Sequence, residues 1–218
     1  MTSNFDQIYS QNAWVYGSGE GSLPKHTRPY VKWLQAFLRK HRLQSVVDMG
    51  CGDWQFSRLI DWSGISYQGF DVVSSVIASN RETFSSSSVS FHLYSGNGDE
   101  LPVADLLIVK DVLQHLSNKN IAAFLPNTRK YKYCLITNCV NPKGETTNTD
   151  IEDGGFRYLD LRLPPFSVDA EEVLSFANHR PSIVSLFIKS RWKKKVLLLQ
   201  RKSALTDRVL NCSELPLV

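Results

Sequence analysis

The chain has 218 residues, an apolar content of 42% and a formal net charge of +4, which suits a single domain with a sizeable core. No apolar run approaches the length of a membrane-spanning helix, and the first residues lack the basic and apolar regions of a signal peptide. None of the four cysteines forms a Cys-x-x-Cys pair, so we expect a cytoplasmic protein with reduced thiols and no bound metal.

The N-terminal region, residues 1–26, ends in a glycine-rich cluster, Gly17-Ser18-Gly19-Glu20-Gly21-Ser22. Such a cluster indicates a flexible turn, which is either a plain linker or a flap over a ligand. The next segment, Thr27–Lys40, has apolar residues at helical spacing, and Pro29 suits its first turn. We therefore predict a helix there.

The stretch that organises the chain is Val46-Val47-Asp48-Met49-Gly50-Cys51-Gly52-Asp53. It has the form of a buried strand, 45–49, that runs into a glycine turn, where a missing Cβ lets the backbone turn sharply or approach a ligand. Asp71 follows Gly52 by 19 residues, at the end of a second predicted strand, 65–70. A carboxylate at that place can accept hydrogen bonds from a ribose, which predicts a nucleoside site.

Strands and helices alternate through most of the remaining chain, which predicts an α/β protein with a parallel sheet. The other predicted helices are 54–62, 74–84, one beginning at Asn118, and 169–178; the other predicted strands are 89–94, 104–109, 131–140 and an antiparallel pair, 182–189 and 195–200. Polar residues follow several strands, so we expect them to meet at one edge of the sheet. The long irregular connection 141–168 is of the kind that is usually functional.

The glycine turn favours one class of cofactor over another. A dinucleotide-binding motif requires a third glycine at position 55, where this chain has Gln55, and Asp53 is poorly placed beside a pyrophosphate. A cofactor with a ribose and an ammonium group but no phosphate fits better. S-adenosylmethionine (SAM) has those groups.

The motifs resemble those of class I SAM-dependent methyltransferases. Val46–Gly52 resembles their first motif, Gly69–Asp71 their second, and Ala104–Leu116 their fourth, while Ser18–Ser22 and Gly155–Phe166 resemble a branch that includes glycan (sugar hydroxyl) O-methyltransferases. The resemblance implies a Rossmann-like seven-stranded sheet, mostly parallel with one antiparallel strand and with helices on both faces.

The resemblance also implies how a single methyltransferase domain is divided along the chain. We expect an N-terminal flap (1–26), a SAM-binding core (27–140), an acceptor lid (141–168), a final helix and strand pair (169–201) and a tail (202–218).

The same resemblance implies a set of cofactor-binding residues at the strand ends. The glycine turn would lie against the methionine part of SAM, Asp71 would take the ribose hydroxyls, and the turn after the third strand would face adenine, although Ser95 stands where relatives often carry an acid and Asn97 or Asp99 would substitute. The expected residues are Ser22, Asp48, Gly50, Cys51, Gly52, Asp71, Val72, Ser95, Gly96, Asn97 and, through its carbonyl, Lys110.

Methylation of a hydroxyl requires a group that takes up its proton. His115 is the first candidate, because an imidazole titrates near neutral pH; the alternative is a histidine packed under the lid or capping a helix. Asp111 is the second candidate, and its alternative role is to orient a backbone amide.

The polar residues of the predicted lid, together with one on the fifth strand, are candidates for binding the acceptor. They are Asn138, Asn148, Asp150, Arg157 and Tyr158. The alternative is ordinary loop polarity, and a divalent metal held by Asp150 and Asp153 is a further, less favoured interpretation.

Three functions remain open from the sequence. The first is SAM-dependent O-methylation of a hydroxyl on a sugar, glycan or other small molecule. The second is methylation of RNA, because Leu186–Arg208 carries eight Lys or Arg residues against one acid, although a solvated turn is the favoured explanation of that run. The third is SAM binding without catalysis. We expect neither a nucleic-acid nor a membrane partner, and the sequence indicates no oligomeric state.

Overall fold

The computed structural model describes residues 4–177 and 192–201. Seven strands in these residues form one sheet with the order β3-β2-β1-β4-β5-β7-β6. Strands β1 to β5 run parallel, and β7 is antiparallel to both of its neighbours. The strands are β1 (Ser45–Met49), β2 (Ser66–Asp71), β3 (Val89–Leu93), β4 (Leu106–Lys110), β5 (Tyr133–Val140), β6 (Glu171–Ala177) and β7 (Lys193–Gln200). The predicted α/β sheet with one reversed strand is confirmed.

Helices pack on both faces of this sheet. They are α2 (Pro24–His41), α3 (Ser74–Phe84) and α4 (Asn118–Phe124), whereas the first helix of the chain, α1 (Asn4–Ser10), buries no residue. Alternate residues of β1 face opposite sides: Val46 joins the core under α2 and α3, whereas Val47 joins the core under α4. Burial on both faces explains why the central strands are continuously apolar.

Two predicted helices are wrong. Residues 171–177 form strand β6, which pairs with β7 along the edge of the sheet and buries Phe176 in the core; here tertiary pairing outweighs a weak local pattern. The predicted helix 54–62 is only a 3₁₀ turn at Ser57–Leu59. Trp54 has a positive φ of 57°, which a right-handed helix does not contain, so no helix begins there.

Two boundaries also differ from the expectation. Helix α2 begins at Pro24, where proline's missing amide costs no hydrogen bond, so Pro29 lies inside the helix and not in its first turn. The predicted strand 182–189 lies outside the described residues. Lys193 and Lys194 belong to β7 and not to a turn before it.

The irregular connection 141–168 contains no helix or strand, and internal hydrogen bonds give it its shape. The buried Asn148 side chain donates to the carbonyls of Asp160 (2.9 Å), Leu163 (3.2 Å) and Pro164 (2.9 Å), and accepts from the amide of Asp160 at 2.9 Å. This one amide therefore closes the loop upon itself.

The same connection is fastened to helix α4 by two carboxylates. Asp150 accepts from the amide of Asn118 at 2.7 Å, and Asp153 accepts from the amide of Ser117 at 2.6 Å. Amides at a helix start have no partner within the helix, so carboxylates stabilise it there. Among the residues that the structure describes, no three His, Cys, Asp or Glu side chains are grouped as metal ligands, and no helix is long and apolar enough to cross a membrane.

Replacing Asn148 with Ala should lower the free energy of unfolding by roughly 2–3 kcal/mol, because buried backbone groups lose their partner and Asn148 has a positive φ of 51°. Urea denaturation measures the difference. Thr147→Ala is the matched control, since Thr147 is exposed and should change stability by less than about 0.5 kcal/mol. Equal losses in the two variants would contradict this role of Asn148.

Candidate functional site

A cavity of about 810 Å³ opens at the edge of the sheet where the parallel strands end. The turns after β1, β2, β3 and β4 form its floor, and α1 with part of the 141–168 connection closes it from above. Its wall includes Phe5, Tyr9, Trp14, Phe156 and Tyr158. The expected meeting of strand-end residues therefore takes place, and aromatic residues from two distant segments cover it.

The glycine turn after β1 is the tightest part of the floor. Gly50 has φ 74° and Gly52 has φ 53°, values that favour glycine. A Cβ at Gly50 would lie 2.2 Å from Val112 Cγ2, and one at Gly52 would lie 2.2 Å from Ser18 Oγ. Both glycines are thus required by the turn and by close approach of neighbouring segments.

Asp71, at the end of β2, is held firmly beside this turn. Its Oδ2 accepts from the Gly52 amide at 2.9 Å, and its Oδ1 accepts from the Val73 amide at 3.1 Å. Burial raises the pKa of the carboxyl, while these amides act in the opposite direction. Each oxygen keeps a further lone pair, and Asp71 and Val72 both line the cavity.

Asp48 does not reach the cavity. Its side chain points to the α2 face of β1, where Oδ2 accepts from Tyr67 Oη at 2.7 Å and from Ser57 Oγ at 3.3 Å. Burial raises the pKa of this carboxyl to about 6. The alternation of side chains along a strand excludes it from the ligand edge, so its predicted contact with a cofactor is wrong.

The glycine-rich N-terminal cluster lies against the glycine turn. Ser18 Oγ donates to Asp53 Oδ1 at 2.6 Å and accepts from the Asp53 amide at 3.0 Å, while Tyr9 Oη lies 2.8 Å from Ser18 Oγ. Ser22 and its neighbours line the cavity. Sequence reasoning missed Tyr9 and Trp14, because no motif marks them.

The turn after β3 is held by a residue that the sequence analysis missed. The Glu100 carboxylate accepts from the Ser95 amide at 3.0 Å and also from its hydroxyl. Asn97 accepts from the Asp99 amide at 3.0 Å. Ser95, Gly96 and Asn97 line the cavity, whereas Asp99 does not; the only hint of Glu100 was its position in a polar turn.

His115 lines the cavity beneath the aromatic cover. Its ring centroid lies 4.8 Å from that of Trp14 and 5.8 Å from that of Phe156. Nδ1 lies 2.7 Å from the Gly155 carbonyl, which can only accept, so Nδ1 carries the proton and Nε2 keeps its lone pair. Burial lowers the pKa of the ring, which leaves it neutral at pH 7.

Gln114 supports this assignment of protons. Its Oε1 accepts from the Cys139 amide at 2.7 Å, so the NH₂ group is the end that lies 3.4 Å from His115 Nε2. The backbone of His115 is also held by the 141–168 connection, because the Gly154 amide donates to the His115 carbonyl at 2.8 Å.

Asp111 lies between two buried lysines. Lys110 Nζ lies 2.6 Å from Asp111 Oδ2, and Lys194 Nζ donates to the same oxygen. Burial alone would raise the pKa of the carboxyl, but the two ammonium groups outweigh it and lower the pKa to about 2. Such a carboxylate is a weak base, so the site offers His115 and not Asp111 for proton uptake.

Solved structures share this architecture, although no protein-family model and no curated protein matches the sequence. A 1,6-didemethyltoxoflavin-N1-methyltransferase of Burkholderia thailandensis, with bound S-adenosylhomocysteine (SAH), has a TM-score of 0.63 at 16% identity, over 92% of this chain and 86% of that one. The chain has the class I methyltransferase fold.

Two further structures show the same likeness of fold. Magnesium protoporphyrin IX methyltransferase (ChlM) of Synechocystis PCC 6803, with bound SAH, has a TM-score of 0.60 at 14% identity, over 90% of this chain and 97% of ChlM. TehB of Haemophilus influenzae has a TM-score of 0.55 at 15% identity, over 78% of this chain; the chain spans 62% of TehB.

Only one of the residues expected to bind an acceptor lines the cavity. Tyr158 lines the cavity, but Asn138, Asn148, Asp150 and Arg157 do not. The guanidinium of Arg157 donates to the carbonyls of Thr149 (2.9 Å) and Leu116 (2.8 Å). Asn148, Asp150 and Arg157 shape the connection, because their hydrogen bonds are made within it, to α4 or to Leu116 just before α4.

Gly50→Ala should destabilise the methyltransferase fold more than Gly64→Ala does. Both glycines have φ 74°, but a Cβ at Gly64 meets nothing within 4 Å. The free energy of unfolding of the Gly64→Ala control should therefore fall by only roughly 1–2 kcal/mol, the cost of a positive φ at a residue with a Cβ. That of Gly50→Ala should fall by roughly 1–3 kcal/mol more, because the new Cβ overlaps Val112. Urea denaturation compares them, and equal losses would show that the turn tolerates a side chain.

Proposed function

We propose that the protein is a SAM-dependent methyltransferase that methylates a hydroxyl group of a small molecule. The observation that carries the proposal is that the Asp71 carboxylate and the neutral His115 ring line one cavity. The toxoflavin methyltransferase and ChlM structures, which contain SAH, support the choice of cofactor.

The residues at the strand ends fit this cofactor. Asp71 is fixed by two amides and has lone pairs left for a ribose diol. Gly50 and Gly52 line the cavity, where the methionine part would lie. The volume of about 810 Å³ lies within the range of roughly 300–1,000 Å³ for small-molecule sites and leaves room for an acceptor.

The bound cofactor supplies an electrophilic methyl group. The cavity positions the acceptor, and such positioning lowers the barrier by removing orientational freedom. His115 Nε2 then takes the proton of the acceptor hydroxyl, while the Nδ1–H bond to Gly155 holds the ring in place and stabilises it when it becomes charged.

A sugar hydroxyl is the acceptor that we propose within this class. Phe156 and Tyr158 lie edge to face at 5.5 Å, and Trp14 packs on His115. Aromatic faces of this kind can pack on the apolar C–H face of a sugar while its hydroxyls reach the polar floor. The glycine-rich segment and the 141–168 connection serve in this proposal as flap and lid, in a cytoplasmic enzyme.

The small-molecule proposal is favoured over RNA methylation by the placement of two lysines from the basic run. Lys194 is buried in the cavity wall. Lys195 Nζ lies 3.1 Å from Glu172 and 3.3 Å from Asp160. These two side chains thus make their contacts within the fold and do not form an exposed surface for phosphates.

Replacing Asp71 with Asn should weaken SAH binding by roughly tenfold or more, because a charged acceptor for ribose hydroxyls is lost. Isothermal titration calorimetry measures the affinity. Asp61→Asn is the matched control: Asp61 also accepts from the amide two residues on, at 3.0 Å, but is exposed. Wild-type affinity in Asp71→Asn would contradict the nucleoside role.

Replacing His115 with Gln should lower turnover of SAM against a panel of sugars by about 10²–10⁴-fold and leave SAH affinity unchanged. Since burial lowers the pKa of His115, wild-type turnover should hold at neutral pH and be lost only at acidic pH, when Nε2 becomes protonated. His92→Gln, on β3, is the control. Full turnover in His115→Gln would rule out His115 as the base.

A further inference from the structure

Three charged side chains form a buried cluster in the cavity wall, at the end of β4 and the start of β7. Lys110 Nζ and Lys194 Nζ both contact Asp111 Oδ2, and Lys194 also donates to the Gly21 carbonyl at 3.2 Å. The lysine side chains are 2% exposed and that of Asp111 is 14% exposed. All three residues line the cavity.

The cluster carries an excess of one positive charge. Two ammonium groups face a single carboxylate, and an unbalanced charge is costly away from water. Lys110 Nζ lies 4.7 Å from the Phe56 ring centroid and Lys194 Nζ lies 4.7 Å from that of Trp192, which offsets part of this cost. Glu20, an acid of the glycine-rich N-terminal cluster, lies nearby but pairs with His26, at 3.4 Å.

The hydrogen-bonding groups of the cluster are also incompletely used. Both lysines contact the same oxygen of Asp111, while Oδ1 is buried and has no donor among the described residues. An ammonium group has three donors, and Lys194 uses two of them on Asp111 and Gly21. Unused donors therefore lie beside an unused acceptor.

The cluster shares the catalytic half of the cavity. Asp111 and Lys194 both act electrostatically on His115. The acids Asp53 and Asp71 lie instead at the turn after β1 and the end of β2. The cavity thus has an acidic end for hydroxyls and cations, and a basic end beside the proposed base.

We propose that Lys110, Asp111 and Lys194 form a subsite for a carboxylate that has a hydroxyl or ammonium group next to it. The carboxylate balances the excess charge, and its neighbour donates to Asp111 Oδ1. Two ligands of the proposed methyltransferase, on which this subsite rests, have that chemistry: the amino-acid end of the cofactor, and an acceptor that is a hydroxy acid such as a sugar acid.

Calorimetry with Lys194→Met tests the cofactor as the source. Lys110 still pairs with Asp111 in this variant, so no carboxylate is left unpaired. The ligands are SAH and 5′-methylthioadenosine, which lacks the amino-acid end. If the cofactor supplies the carboxylate, SAH affinity falls at least tenfold and methylthioadenosine affinity stays constant. Lys193→Met, an exposed lysine of the same strand, should leave both unchanged.

Matched acids and neutral sugars test the acceptor as the source. The SAH-loaded protein is titrated with glucuronate and glucose, and with galacturonate and galactose. If the acceptor supplies the carboxylate, wild type binds the acids more tightly, and Lys194→Met removes that preference while SAH affinity is unchanged. Lys194→Gln, which is neutral but keeps a donor, serves as a second variant if thermal unfolding shows that the Met variant is not folded.

The outcomes separate this subsite from the proposed function. A folded Lys194 variant that binds SAH and the sugar acids as wild type does overturns the carboxylate subsite and leaves the methyltransferase proposal standing. A wild-type protein that binds neither SAH nor methylthioadenosine overturns the proposed function, and the subsite with it.

Discussion

The site depends on one tight junction between neighbouring strands. The amides of Gly50 (2.8 Å) and Cys51 (3.0 Å) both donate to the carbonyl of Phe70, and the amide of Gly52 donates to Asp71. These bonds draw the turn after β1 over the end of β2, with positive φ at both glycines. The position of the Asp71 carboxylate, and so the acidic end of the cavity, follows from this junction.

The cover of the cavity is built on the same junction. Ser18 bonds to Asp53, which follows the turn directly, and Asn4 of α1 donates to the Asp153 carbonyl at 2.8 Å. The N-terminal segment therefore joins the glycine turn to the 141–168 connection. Because the Gly155 carbonyl of that connection accepts a hydrogen bond from Nδ1–H of His115, the glycine turn, the N-terminal segment, the connection and His115 are linked by hydrogen bonds.

Much of the scaffold could be predicted because local chemistry already specifies it. Leu106–Val109 is apolar throughout, as expected for a strand buried on both faces, and Gly50 and Gly52 mark a turn that other residues adopt only with strain. The mistaken helix at 169–178 shows the limit: β6 is an edge strand in which the neighbouring residues Glu171 and Glu172 are both exposed, so its pattern does not distinguish strand from helix until β7 pairs with it.

The sequence by itself determined the first five strands, the glycine turn and the acid that follows it, since spacing and residue type control backbone conformation and hydrogen bonding. Only the tertiary structure decided which charges meet. Lys194 stands 83 residues from Asp111 and belongs to a basic run that suggests solvent, yet β7 inserts its side chain beside Asp111. Strand pairing between distant segments sets that contact, and no local pattern of residues encodes it.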